Sequence, residues 1–345
     1  MTRIALLLGS GLLLAAQPAP DPAPTPAPED EGSRVVRGTP AQPGSAPWQI
    51  EIFLKAPIPD EDLKADLNRA DTDLKKRFYD RMEPWEQDHS CGGVLIDKEW
   101  ALSAAHCFVG GPEMLYSLPL IGARVGNVDI TYATPMRIER VAVHAGYRRN
   151  GAKQHDIALL RLVPAEETRS DVAAAAAPVR ILAPAELKTL KPGDDLKVTG
   201  WGQVGERENG ATRSVDGKRL RASRFLLEGR LTLLDRKDCE KVAAYKKILN
   251  PGVLCVTAGD DKQQDSCQGD SGGPLTRRRV LVGLVSTGEG CGRKGIPALY
   301  TNVAYYADWI AAAKASVPAG VIARCALRGG KAVCDSASQP RTGRG

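Results

Sequence analysis

Ser271 stands in Asp-Ser-Cys-Gln-Gly-Asp-Ser-Gly-Gly-Pro, residues 265–274. A serine between an acid and two glycines suits neither a helix nor a regular strand, and the glycines permit the backbone angles of a tight turn. On such a turn the hydroxyl can be aimed at a substrate carbonyl. The amides of Gly269 and Ser271 can then converge on the oxygen that becomes negative. A serine hydroxyl is a weak nucleophile without a base. The chain has four histidines, His89, His106, His144 and His155. His106, in Leu-Ser-Ala-Ala-His-Cys, ends an apolar run and is the candidate base. Asp156, in His-Asp-Ile-Ala-Leu-Leu-Arg-Leu, is the candidate acid that would orient the imidazole and stabilise its charged form. Together the three would carry out acyl transfer: attack by Ser271, proton transfer through His106, and hydrolysis of the acyl-enzyme.

The blocks Ala-Ala-His-Cys, Asp-Ile-Ala-Leu-Leu and Gly-Asp-Ser-Gly-Gly-Pro resemble the chymotrypsin/trypsin family of serine proteases over about residues 35–315, in that family's order His, Asp, Ser. The resemblance implies an all-β, chymotrypsin-like fold: two antiparallel β-barrels packed against each other, about 35–163 and 195–300, with a C-terminal helix at 303–315. Between Ile52 and Cys91 the chain is longer than the family usually is, which adds an inserted helix, about 58–86, to the N-terminal lobe. The resemblance places Asp265 at the base of the primary pocket, where a desolvated carboxylate prefers a cation, and so implies cleavage after Arg or Lys. Ser266 would share that hydrogen bonding, Gly288 would leave the mouth open, and Ser286 would bond Asp156. Two positions depart from the pattern. Ala298 replaces a glycine of the pocket wall, and a methyl there can shift discrimination by about 1–3 kcal/mol. Thr287 replaces a tryptophan, removing an aromatic floor beneath the residues that precede the cut.

Eight cysteines are Cys91, Cys107, Cys239, Cys255, Cys267, Cys291, Cys325 and Cys334. Behind an export signal they suggest disulfides, whose pairing sequence alone leaves open. Metal binding competes, but no Cys-x-x-Cys occurs and the spacings are wide. The resemblance implies the pairs 91–107, 239–255 and 267–291, and Cys325 with Cys334 resembles a closed hairpin in a C-terminal extension, 316–345. It also implies that a cut after Arg34 frees Val35, whose ammonium pairs with Asp270 and sets the oxyanion-hole backbone. Here Arg37 stands where relatives carry a glycine.

These residues must be positioned by a folded domain, and 345 residues are ample for a large core and two packed lobes. Met1–Ala16 reads as a secretory signal, with Arg3 before the apolar Ile4–Leu14 and small residues at Ala15–Ala16; an uncleaved anchor is the competing reading. Gln17–Ser33 alternates Pro and Ala and ends in acids, the composition of an extended, disordered linker, and residues 336–345 are expected to be disordered as well. The formal net charge is +6, and the two basic against four acidic side chains of residues 1–34 leave the remainder at +8. That excess is spread out and does not read as nucleic-acid binding.

Pro47–Ile52 reads as the first strand of the domain, with further strands suggested around Val125, Ile130, Ile138 and Val141–Val143. Leu63, Leu67, Ala70, Leu74, Phe78 and Met82 recur on one helical face. That helix either packs on the barrel or forms a lid beside the cleft. Pro164–Asp194 is expected to cross between the lobes. Residues 203–224 read as a polar, basic, solvated loop, and His144 and His155 as partly exposed side chains.

The implied protein is a secreted or periplasmic serine endopeptidase made as a zymogen, with no metal, no cofactor, no nucleic acid and no stable membrane anchor. Its partners are protein or peptide substrates with Arg or Lys at the cut site, and protein inhibitors. Two other classes stay open: a protease-shaped binding module without turnover, and an esterase using the same triad. The intact triad argues against the first. Asp265 and the Ser286–Gly288 edge argue against the second, since an extended edge can pair with a peptide backbone.

Overall fold

The computed structural model describes residues 38–55, 83–110, 114–148, 153–165, 176–204, 212–213, 219–220, 222–258 and 264–336. The leader, the Pro/Ala linker, the Arg34–Val35 bond, the Asp60–Met82 stretch and residues 337–345 lie outside the described residues.

Six strands close the first barrel: β1 (Gln49–Leu54), β2 (His89–Leu95), β3 (Trp100–Ser103), β4 (Ile121–Val125), β5 (Thr134–His144) and β6 (Ala158–Pro164). They pair antiparallel in the ring β4-β1-β2-β3-β6-β5, which returns to β4. The second barrel repeats this closure with β7 (Asp195–Gly200), β8 (Leu227–Leu233), β9 (Val253–Ala258), β10 (Pro274–Arg277), β11 (Val280–Thr287) and β12 (Ala298–Asn302). Its ring runs β8-β9-β12-β11-β10-β7 and returns to β8. The expectation of two antiparallel barrels holds.

The strands form because apolar residues recur with period two. In β8, Leu227, Leu231 and Leu233 are buried, while Glu228, Arg230 and Thr232 between them are partly or fully exposed. The first core gathers Ile50, Ile52, Val94, Leu102, Val141 and Leu159; the second gathers Leu196, Val198, Leu231, Leu275, Val282 and Tyr300. Each fully buried aliphatic side chain contributes about 1.5–3 kcal/mol. Truncating Leu102, wholly buried, to Ala would cost roughly 2–5 kcal/mol.

β1 departs from simple alternation, because Gln49 and Glu51 are buried as well as Ile50 and Ile52. A buried carboxylate needs partners. Glu51 Oε2 accepts from Arg124 on β4 at 2.7 Å, and Oε1 lies 3.2 Å from His89 Nδ1 on β2.

Two expectations change. Ile130 lies in a 3₁₀ turn, Ile130–Tyr132, and not in a strand: Asp129 caps the turn by accepting from the Thr131 amide at 3.0 Å. The basic loop is not solvated throughout. Arg224 forks onto the same Asp129, Nε–Oδ1 3.0 Å and Nη2–Oδ2 2.8 Å, and Ala222 and Ser223 are buried.

Of the expected insertion only its end is described, where a one-turn helix, α1 (Pro84–Asp88), begins on a proline, which suits a first turn. Glu86 in α1 accepts from the Ala222 amide at 2.9 Å. A second short helix, α2 (Arg236–Glu240), carries Cys239. The C-terminal helix, α3 (Ala307–Ser316), follows a 3₁₀ turn at Val303–Tyr306 and buries Trp309, Ile310 and Ala313 in the first core. Pro318 stops the helix because it has no amide hydrogen to continue it.

Beyond it, β13 (Ile322–Arg328) and β14 (Lys331–Ser336) form a hairpin. Gly329 and Gly330 both have positive φ, 54° and 78°, as a two-residue hairpin turn requires. β13 lies parallel to the end of β5, from Ile322 opposite Val141 to Cys325 opposite His144. Four disulfides join Cys91–Cys107, Cys239–Cys255, Cys267–Cys291 and Cys325–Cys334.

Candidate active site

The Asp265–Pro274 segment lies in the second barrel just before β10 and docks against the first. The Gly92 amide donates to the Ser271 carbonyl at 2.8 Å, and Ser103 Oγ donates to the Gly92 carbonyl at 2.8 Å. Gly272, at φ 79°, sits where a β-carbon would collide with Ser103 Oγ and lie 2.6 Å from the Ala104 nitrogen. No larger residue fits so close to another backbone.

Within the segment, Asp270 N donates to Cys267 O at 3.0 Å, Gly273 N to Asp270 O at 2.8 Å, and Gly272 N to Val285 O at 2.8 Å. The amides of Gly269 and Ser271 donate to no carbonyl among the described residues, and Gly269 has φ 95°. Two amides left in this way are available to a ligand oxygen.

His106 lies on the 3₁₀ turn Ala105–Phe108 that follows β3, with the Cys91–Cys107 bond beside it. Asp156 Oδ1 accepts its main-chain amide at 3.0 Å, and Oδ2 lies 2.8 Å from Nδ1. A carboxylate only accepts, so Nδ1 carries a proton, and in the neutral ring Nε2 then keeps its lone pair. Ser286 Oγ donates to the same Oδ2 at 2.7 Å, and Thr301 Oγ1 bonds the Asp156 carbonyl at 2.7 Å. Burial pushes the Asp156 carboxyl up, but the charge of His106 and the bonds from His106 and Ser286 outweigh it and hold the group below the usual carboxylate range.

His106 and Ser271 line one cleft of about 310 Å³, together with Asp265, Ser266, Ser286 and Gly288. Asp265 is 8 % exposed; its Oδ1 accepts the Ser266 amide at 2.8 Å and its Oδ2 the Gly292 amide at 2.9 Å. Ser266 turns its hydroxyl to Tyr300 Oη at 2.8 Å, so its side chain braces the pocket through Tyr300. Ala298 and the Cys267–Cys291 bond also line the cleft, and a β-carbon built on Gly288 would lie 3.7 Å from that of Ala298.

Asp270 turns away from the cleft and is 1 % exposed. Its Oδ1 accepts the Gly202 amide and its Oδ2 the Cys267 amide, each at 2.8 Å. Burial pushes its pKa up to about 6 in spite of those bonds. Arg34 and Val35 lie outside the described residues.

Several residues at the site were not read from sequence. Tyr147, Arg148 and Lys153 line the cleft beside His106. The only sequence signal for them is their place in the loop just before Asp156. His144 and His155 stack at 4.6 Å, and His155 Nδ1 lies 3.1 Å from Tyr306 Oη. His155 adopts φ 56°, a strained angle for a side chain other than glycine, on the residue that leads into Asp156. Burial lowers its pKa.

Two six-stranded antiparallel barrels bring to one cleft a serine and an imidazole, the latter bonded to a buried carboxylate. The family model "Trypsin" matches residues 35–310, and the chain belongs to that family of serine endopeptidases. It is 31 % identical over 286 residues to vitamin K-dependent protein C of Mus musculus, covering 80 % of this chain and 51 % of the relative. The Rattus norvegicus protein of the same name is 33 % identical, covering 82 % and 53 %. Hepatocyte growth factor activator serine proteases of Canis lupus familiaris is 27 % identical, covering 90 % and 42 %. The chain thus spans about half the length of the curated relatives it matches. Among solved structures, neuropsin, a serine protease expressed in the limbic system of mouse brain, aligns with a TM-score of 0.54 at 24 % identity, covering 79 % of this chain and 97 % of its own.

Proposed function

We propose that the chain is a trypsin-like endopeptidase that cuts peptide bonds after Arg or Lys through Ser271, His106 and Asp156. The observation that carries this is the hydrogen-bond chain Ser286–Asp156–His106, which leaves Nε2 as the free base of an imidazole that shares one cleft with Ser271. His106 takes the Ser271 proton as its oxygen attacks the carbonyl. The amides of Gly269 and Ser271 hold the oxyanion, and His106 returns the proton to the leaving amine. Water then repeats the sequence on the acyl-enzyme. Asp265, nearly buried among the residues that line the cleft, supports the choice of a cationic side chain. Ala298 narrows the pocket beside Gly288, and Thr287 leaves little apolar surface for the residues before the cut.

The enzyme is made as a nearly inactive precursor. Cutting after Arg34 supplies an ammonium at Val35 to the buried, otherwise costly carboxylate of Asp270. Export is supported by the leader-like start and by four disulfides, a feature of oxidising compartments. Among the described residues no helix is long and apolar enough to cross a membrane.

The test is to cut the full-length protein after Arg34, label it with a serine-directed phosphonate and profile it on a peptide library. The expected result is a label that disappears in Ser271→Ala, and cleavage after Arg or Lys only. Cleavage confined to apolar residues would remove the role of Asp265. No label and no turnover would leave a binding module.

A further inference from the structure

The cleft is lined by one carboxylate, Asp265, and by two cationic side chains, Arg148 and Lys153. The catalytic reading uses the first and leaves the other two without a task. Lys153 is exposed and Arg148 half-buried. Neither forms an ion pair among the described residues, whereas the half-buried Arg124, Arg140, Arg161 and Arg277 do. Arg148 is held in place, with φ 56° and its guanidinium 5.7 Å from the centre of the buried Tyr147 ring. The Tyr147 carbonyl is bonded in turn by Arg324 of β13 at 3.2 Å. A cation at a cleft, with no ion-pair partner among the described residues, favours an anionic group on whatever enters.

The strand edge decides which part of a substrate meets it. Past Val285, β11 has β12 on one side and no strand on the other among the described residues, which leaves Ser286–Gly288 open to a peptide backbone. In an extended peptide, alternate side chains point to opposite faces. If the residue before the cut sends its cation to Asp265, the second and fourth residues counted back from the cut face away from Asp265, in the cleft that His106, Tyr147, Arg148 and Lys153 also line.

Resting on the proposed cleavage after Arg or Lys, we propose that Arg148 and Lys153 form a cationic subsite that selects substrates with an acidic side chain at the second or fourth residue counted back from the cut. The chain carries such a sequence itself. Glu29-Asp30-Glu31-Gly32-Ser33-Arg34 places Glu31 fourth from the Arg34 bond, with two more acids behind it. A cut copy would therefore accept the uncut Arg34 bond of another copy as a favoured substrate.

The experiment compares two fluorogenic peptides, Glu-Asp-Glu-Gly-Ser-Arg and Gln-Asn-Gln-Gly-Ser-Arg, on the full-length enzyme cut after Arg34, with active sites counted by phosphonate so that only folded enzyme contributes. The acidic peptide is expected to have the higher kcat/KM by about fivefold, the worth of one or two partly exposed charge pairs. The ratio should fall towards one as salt rises from about 0.05 to 0.5 M. It should also fall in the Arg148→Ala/Lys153→Ala double variant and fall further in Lys153→Glu. A ratio of one in the parent, or an unchanged ratio in the double variant, overturns the subsite. Either outcome leaves cleavage after Arg standing, whereas failure to cut both peptides would strike the catalytic reading instead.

Discussion

Under the proposed activation, Asp270 is the carboxylate that registers the cut after Arg34. Burial lifts its pKa to about 6 against roughly 3.9 for a free aspartate. A raised pKa means that the stabilising contribution of the proton is complete below about pH 4 and is lost as pH rises through about 6. The uncut chain should therefore lose stability over that range, by on the order of 2–3 kcal/mol at most. A Val35 ammonium would favour the charged form and reverse the sign. The expected outcome, measured by thermal melting of Ser271→Ala protein before and after cutting at Arg34, is a gap in Tm that widens from pH 4.5 to pH 7.5. A gap independent of pH would separate Asp270 from the activation step. At this scale the sequence was informative about reactive side chains and poor about their supports. Asp265, Asp156 and Ser271 sit in runs whose spacing is itself the signal. Glu51, Arg124 and His89 lie on three strands and meet only because β1 pairs with both β2 and β4, so no local pattern marks them. The bond from Ser266 to Tyr300 is hidden for the same reason.

Among the elements, strands with period two were legible, and exceptions arose where a polar side chain competed with the ladder. The Ile130 segment is apolar enough for a strand, but Asp129 offers its carboxylate to the next turn and to Arg224, and the chain coils around it. The C-terminal hairpin was legible as a loop closed by Cys325 and Cys334, whereas its docking was not, since parallel pairing with β5 links residues about 180 positions apart. Its turn and bridge act locally, while Trp309 Nε1 to Cys325 O, at 2.9 Å, ties it to α3. Replacing both cysteines by serine removes a loop closure of sequence separation 9, worth about 2–3 kcal/mol in a chain-entropy account. The expected result is a lower denaturant midpoint with kcat/KM on a simple Arg peptide little changed. A large loss of activity at unchanged stability would mean that the hairpin serves the cleft and not the fold.

Over the whole molecule, the halves of the site come from different barrels: His106 and Asp156 from the first, Ser271, Asp265 and Ser286 from the second. Short hydrogen bonds join them, such as Gly92 N to Ser271 O and Ser286 Oγ to Asp156 Oδ2. Sequence order alone cannot reveal such a meeting, and here it was legible because the three motifs occur together in one chain. The hairpin has one more effect at this scale. By lying along Val141–His144 it occupies main-chain groups that would otherwise face solvent as a short run of Val-Ala-Val-His. Bare strand borders of that kind recruit copies of themselves. Ending the chain at Pro318 should thus give a protein that light scattering finds self-associating at concentrations where the full chain stays dispersed, so that the tail acts as a guard against clumping in whatever crowded fluid the enzyme occupies.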